Sequence, residues 1–327
     1  MPAFVPETFS EPVVCPDTAS LFRRAPYISP AEYQQTPTAV GIKNLVPGGT
    51  EPEQLASLAA VISRASDWVD TICFHRADGT LAASPSTESG WVRPKDDDTL
   101  QLICNYKPIL EVDGLAIGTP GQLSNIGDQA AQTLSIQGTI IQLPGNVSPR
   151  GATSSIYPSY TTVRGKVYAV WVYVSGYPHT ALAKAAKAKD STLEVTPSIP
   201  DGSNLYGVYP GTQLTIHDGA NTEVIVVASV AGLTLNLAAP LVYAHTLPAA
   251  PNTTRVTAIP WIVEQATISL VSNLIKMRGT RALVIPSSPA KAANPPKQSS
   301  GQAGAQNDYD AAVKMLEPFT SVYMRST

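Results

Sequence analysis

The residues able to do chemistry are few, and the chain scatters them. Four histidines, His75, His179, His217 and His245, fall in four different segments, none at ligand spacing from a cysteine, aspartate or glutamate. His217 precedes the Asp218-Gly219 turn and His245 sits in a linker, so both read as exposed turn residues. Cys15, Cys73 and Cys104 are odd in number, far apart and without a CxxC pair, which reads as buried small hydrophobes rather than a disulfide framework or a zinc site. The run Asp96-Asp97-Asp98 could hold a divalent ion, but it lies just before a strand, where a solvated loop is the simpler reading. The stretch GTPGQ at 118–122 lacks the Lys-Ser/Thr of a phosphate-binding loop, and Arg23-Arg24 is too short for a nucleic-acid patch. Glycan hydrolysis would need paired carboxylates in a cleft, and Glu111, Glu223 and Glu264 are the candidates near ordered segments. The expectation is no catalytic residue, no cofactor and no metal.

The elements that would position such residues are better marked. Prolines crowd residues 1–50, which reads as an extended arm broken by one short helix at ISPAEY, where Ser29 caps, Pro30 opens and Glu32 completes a capping box. Thr50, Pro52 and Glu53 start a second helix, whose Leu55, Leu58, Ile62, Ala65, Val69 and Ile72 form one apolar stripe with Trp68 at its edge. From about His75 to Gly176 the period becomes two, with TLQLICNY, PILEVDGLAI, TLSIQGTIIQL and GKVYAVWVYVSGY predicted as strands. The last has apolar residues on both faces, so both should be covered.

Residues 190–245 read as a separate insertion of four short strands able to close a small barrel-like module, with TALAKAAKAKD and AHTLPAAPNTT as linkers. Helix returns with Ile259, Ile262, Val263, Ala266, Leu270, Leu274 and Met277 in a stripe, Lys276 and Arg278 in the last turn and Gly279 as the stop. A Pro/Ser/Gln/Ala tether from 282 to 306 follows. The closing helix is expected to start at Asp308, place Tyr309, Ala312, Val313 and Leu316 on one face, and end at Pro318, with Phe319 beyond. A helix this short is marginal alone, so it must dock to be ordered.

Hydrophobic residues make up 43% of the 327-residue chain and charged residues 14%, with a net charge of −3. That supports a sizeable core and disfavours a DNA-gripping role, which needs a concentrated basic footprint. Neither a signal peptide nor a membrane span is expected.

Two stretches together carry a resemblance. Ile28-Ser29-Pro30-Ala31-Glu32-Tyr33 followed by Ala65-Ser66-Asp67-Trp68-Val69-Asp70 resembles the opening of head–tail adaptor (connector) proteins of long-tailed bacteriophages. The 173–246 stretch is similar to a β-rich insertion in structural proteins of phages of actinobacteria, and TISLVSNLIKMRG and NDYDAAVKMLEPF look like the remaining adaptor helices. The resemblance implies a homo-oligomeric ring, typically of twelve subunits, bound beneath the portal protein and joined to a downstream neck or tail protein. DNA would pass through its lumen without specific binding. Such a protein is a structural component of the virion at the head–tail junction, made in the host cytoplasm, and has no catalytic residues.

The expected fold is α+β. Its parts are an extended N-terminal arm (1–50), a helical hairpin or bundle base (51–76 with 255–281) and an antiparallel β domain (77–176). An inserted small β-barrel-like module (190–245) and a tether with a docking helix (282–327) complete it. Tyr309, Val313, Leu316 and Phe319 are the expected portal-docking anchors, and Trp68 is assigned to helical packing. The rival readings are another virion structural protein, for tail completion or capsid decoration, and a glycan-acting enzyme.

Overall fold

The computed structural model describes residues 25–43, 45–74, 79–93, 99–125, 135–143, 166–198, 204–248, 250–277 and 300–320. Cys15, Arg23-Arg24, His75, Asp96-Asp97-Asp98, Arg278, Gly279 and residues 282–299 of the expected tether lie outside them. Helices and antiparallel sheets are both present, so the fold is α+β. The chain divides into two compact units.

The first unit takes residues 83–176. Its strands are β1 (Ser84–Val92), β2 (Leu100–Ile103), β3 (Ile109–Thr119), β4 (Gln122–Asn125), β5 (Ser135–Gln137), β6 (Ile140–Leu143) and β7 (Val167–Ser175). They form a sheet ordered β1-β7-β3-β4 and a smaller one ordered β2-β6-β5, with every pair antiparallel. The β5–β6 turn passes through Gly138 at φ +64°, a conformation that glycine adopts without steric cost. Leu102, Leu115, Ile117, Ile141, Leu143, Ala169, Trp171 and Tyr173 pack into one core. The two faces of β7 are unequal: Val167, Ala169, Trp171 and Tyr173 are buried, whereas Tyr168, Val170 and Val172 on the other face are half-buried. β1, with the polar sequence SPSTESGWV, was not expected as a strand; pairing with β7 from Ser84–Ser175 to Val92–Val167 makes it one.

In the second unit, α1 (Pro30–Gln35) has the full capping box at Ser29 and Glu32. α2 (Glu51–Phe74) follows, with the Glu53 carboxylate accepting from the Thr50 N–H at 2.6 Å and from its hydroxyl at 2.9 Å. Residues 25–50 are not an extended arm where they are described. Tyr27, Ile28 and Tyr33 are fully buried, because apolar groups spaced along this segment find cover against the rest of the unit.

Six short strands then close a barrel: β8 (His179–Ala181), β9 (Thr192–Glu194), β10 (Gln213–His217), β11 (Thr222–Ala231), β12 (Thr234–Leu237) and β13 (Arg255–Thr257). Their order is β8-β13-β10-β11-β12-β9. The ring of strands is completed where the Ala183 N–H donates to Glu194 O and the Thr196 N–H to Ala181 O, both at 2.8 Å. Leu193, Leu214, Ile216, Val227, Leu235 and Val256 fill it. All four strands expected within 190–245 are present, but the barrel also needs β8 and β13 from outside that range. Arg255 therefore opens a strand rather than a helix, since Val256 belongs to the barrel core and Pro260 sets the later start of α3 (Trp261–Lys276).

α3 is buried on almost every side, with Thr267, Ile268, Val271, Ser272 and Asn273 enclosed along with the expected stripe residues Val263, Ala266 and Leu270. It packs against α2 and against α4 (Ser300–Leu316). α4 begins eight residues before the expected cap at Asp308. No proline interrupts 297–317, and Asp308 is spent on a bond from Lys276 Nζ at 2.6 Å rather than on capping. A 3₁₀ turn at Glu317–Phe319 ends it at Pro318, as the sequence suggests.

Candidate functional site

The closing helix has a cradle within its own chain. Ala312 and Leu316 of α4 are fully buried, while Tyr309, Val313 and Phe319 are half-buried. The Tyr309 ring meets Trp68 of α2 edge-on, with centroids 6.3 Å apart, and Phe319 meets Tyr177 at 6.2 Å. The residues expected to anchor on a partner thus cover α2, α3 and the segment after Gly176 in the isolated chain. Trp68 itself is half-buried.

The residue just before the first resembling stretch is bonded to the second. The Tyr27 N–H donates to Ser66 Oγ at 3.1 Å, and the Tyr27 hydroxyl donates to Asp70 Oδ1 at 2.5 Å. Asp70 also accepts from the Leu81 N–H at 3.0 Å, tying the end of α2 to the chain that follows it. Tyr33 Oη lies 3.1 Å from Ser272 Oγ of α3 and accepts from the Val40 N–H at 2.9 Å. Ser29, Glu32, Tyr33, Ser66, Trp68 and Asp70 therefore each take a specific place in one interlock of α1, α2, α3 and α4.

Sequence reasoning missed the charged cluster beside this interlock. Arg255 on β13 is buried, donating through Nε to Glu32 Oε2 at 2.8 Å and through Nη2 to Glu32 Oε1 at 2.5 Å. Its Nη2 also donates to Glu264 Oε1 at 2.9 Å, and its Nη1 to the Tyr27 carbonyl. The fork geometry of a guanidinium suits one carboxylate held by two bonds and a second held by one. His217 at the end of β10 faces both carboxylates, at 3.6 Å from Glu32 and 3.8 Å from Glu264. Burial opposes ionisation of Glu32, but the charge and hydrogen bonds of Arg255 and the Ser29 N–H outweigh it and hold its carboxyl below its ordinary value. Burial lowers the basicity of Arg255, and Glu32 and Glu264 more than restore it. The one sequence signal was a charged residue in the β-branched TTRVTAI stretch; its partners stand up to 228 residues away.

A second cluster braces the barrel. His245, fully buried rather than exposed, places Nδ1 3.0 Å from Asp218 Oδ2 and Nε2 3.2 Å from Glu223 Oε2. Glu223 also accepts from the Val242 and Tyr243 N–H groups at 2.7 and 3.1 Å. Asp218 accepts from Ala220 and Asn221 at 2.9 and 2.6 Å. Burial raises both carboxyls, but these N–H groups and His245 win and hold each below its ordinary value.

Of the three glutamates weighed for glycan chemistry, Glu223 and Glu264 are each engaged in these structural clusters, and Glu111 lies on β3 of the other unit. Cys73 and Cys104 are buried. Burial pushes the Cys104 thiol up to about 12, with the nearby Glu88 charge adding to it, which suits a packed side chain and not a nucleophile. His179 is also buried, its Nδ1 3.0 Å from Thr257 Oγ1 and its Nε2 3.0 Å from the Ala25 carbonyl. Among the described residues no group of three His, Cys, Asp or Glu side chains could hold a metal ion, and no helix is long and apolar enough to cross a membrane.

Large apolar groups stand out in water at several points: Trp261 at the start of α3 is 73% exposed and Val242 beside the His245 cluster 67%. The chain matches no family model, no curated protein and no solved structure.

Proposed function

We propose that this protein is a structural adaptor of a long-tailed bacteriophage, assembled as a ring between the portal and the tail and giving DNA a passage. The observation that carries this reading is the interlock itself. Tyr27, which leads into the first resembling stretch, bonds Ser66 and Asp70 of the second, while Tyr33 of the first ties α1 to Ser272 of α3 and Trp68 of the second meets Tyr309 of α4. The second pattern thus supplies the partners that hold the chain where it enters the first.

On this reading α2, α3 and α4 are the helical base and the barrel is an inserted module presented to a neighbour. Twelve subunits would close the ring, the portal would bind the side carrying α4, and a neck or tail protein the other. Tyr309, Val313 and Phe319 keep part of their surface for the portal. Leu316 can touch it only if α4 leaves its cradle. A net charge of −3 suits a lumen through which DNA slides, since a basic wall would retain it by counterion release.

Gold-labelled antibody against the barrel, applied to virions, tests the placement. Label confined to the head–tail junction is expected. Label spread over capsid faces would favour a decoration protein and overturn the adaptor reading.

A further inference from the structure

α1 is strapped across the barrel and α3 by bonds that meet at one charged point. The Ala31 N–H donates to Asn252 Oδ1 at 3.0 Å, Gln35 Nε2 donates to the Gly219 carbonyl at 2.6 Å, and Tyr33 reaches Ser272 on α3. Between them Glu32 is gripped by Arg255, which also holds Glu264 of α3. His217 stands at the rim of this cluster with its side chain 20% exposed, so a proton from solvent can reach it.

The oxygens that His217 faces are already taken. Glu32 Oε1 lies 2.5 Å from Arg255 and 3.6 Å from His217; Glu264 Oε1 lies 2.9 Å from Arg255 and 3.8 Å from His217. The longer distances are beyond hydrogen-bond length, so a charged imidazole here gains no bond to offset its lost hydration. It would also put a second cation beside the buried guanidinium or compete with it for the same oxygens. Thr222 Oγ1, 3.5 Å from Nδ1, offers no charge, and Asp218 on the same turn is committed to His245.

We propose that His217, Arg255, Glu32 and Glu264 form an acid-released latch that fastens α1 and its flanking segment to the barrel and α3. With His217 neutral the guanidinium satisfies both carboxylates and the strap is closed. Protonation of His217 loosens the cluster and frees residues 27–40, while the barrel, held by its own core and the His245 brace, stays folded. The direction agrees with the ring's environment: burial, and then the Arg255 charge, outweigh the attraction of Glu264, Glu32 and Asp218 and hold the imidazole below its ordinary 6.5. A proton that the folded state binds less readily than the unfolded one costs stability as pH falls below that ordinary value. The latch is independent of the assembly reading, since it lies wholly within one subunit.

Hydrogen exchange read by mass spectrometry on the full chain tests it, at about pH 7.5 and about pH 5.5 and corrected for the intrinsic rate, in wild type and His217→Gln. Wild type should lose protection across 27–40 at the lower pH while the β11–β12 hairpin keeps it, and His217→Gln should lose none. Equal protection of the wild-type strap at both values, or the same loss in His217→Gln, would overturn the latch. If His217→Gln fails to fold, an NMR titration of the wild-type ring decides. A midpoint below the 6.5 of an ordinary histidine supports the latch, and one at or above it refutes it.

Discussion

At the scale of residues, the strongest commitments are ionic and buried. Arg255 is enclosed with two carboxylates and a backbone carbonyl, so removing it strips Glu32 and Glu264 of the guanidinium that donates to both. Arg255→Met should therefore destabilise the protein by about 3–5 kcal/mol in urea unfolding, the usual consequence of stripping one partner from a buried pair. A loss under ~1 kcal/mol would mean that water already screens the cluster. The carboxyls give a pH dependence of fixed sign. Glu32, Asp218 and Glu223 are all held below their ordinary values of 4.5, 3.8 and 4.5, so the unfolded chain binds protons before the folded one does. Their contribution is complete above those ordinary values and is lost as pH falls through the lower folded ones. Glu223→Gln should flatten the acid limb of a stability–pH profile relative to wild type. An unchanged limb would remove Glu223 from the account.

At the scale of elements, what was legible in the sequence was what local chemistry dictates. The Ser29 capping box and the Thr50–Glu53 pair marked two helix starts, Pro318 marked an end, and short apolar runs between hairpin turns marked the strands within 190–245. What was not legible came from pairing between distant segments. β1 is too polar to read as a strand until β7 lies beside it, and α4 runs back to Ser300 because Asp308 serves Lys276 and not a cap. The arm reads as loose in a proline count, yet Tyr27, Ile28 and Tyr33 are core residues once the barrel and α3 surround them. Similarly, no spacing rule connects positions 32, 217, 255 and 264, which only the closed barrel assembles. The packing of α4 gives its own graded prediction. Leu316 is fully buried, so Leu316→Ala should cost about 2–4 kcal/mol, whereas half-buried Val313→Ala should cost about 1 kcal/mol or less. Equal small losses in thermal unfolding would show that α4 is not seated on α2 and α3 in solution.

At the scale of the whole molecule, the subunit carries a self-consistent helical layer and barrel together with large apolar side chains that it does not cover. Trp261 and Val242 are the most exposed of these on the second unit, and Ile103 and Trp91, 50% and 42% exposed, on the first. Exposed aromatic and branched side chains on a chain with few charges are what a ring neighbour would bury. Replacing Trp261 with Ser should leave the subunit folded, because the side chain makes little contact within it, and should weaken association between copies. The most direct measurement is the assembly state of the purified chain mixed with portal, read by mass photometry and electron microscopy. The adaptor account expects a closed ring seated on the portal axis. Subunits that stay solitary, with the portal left bare, would contradict it.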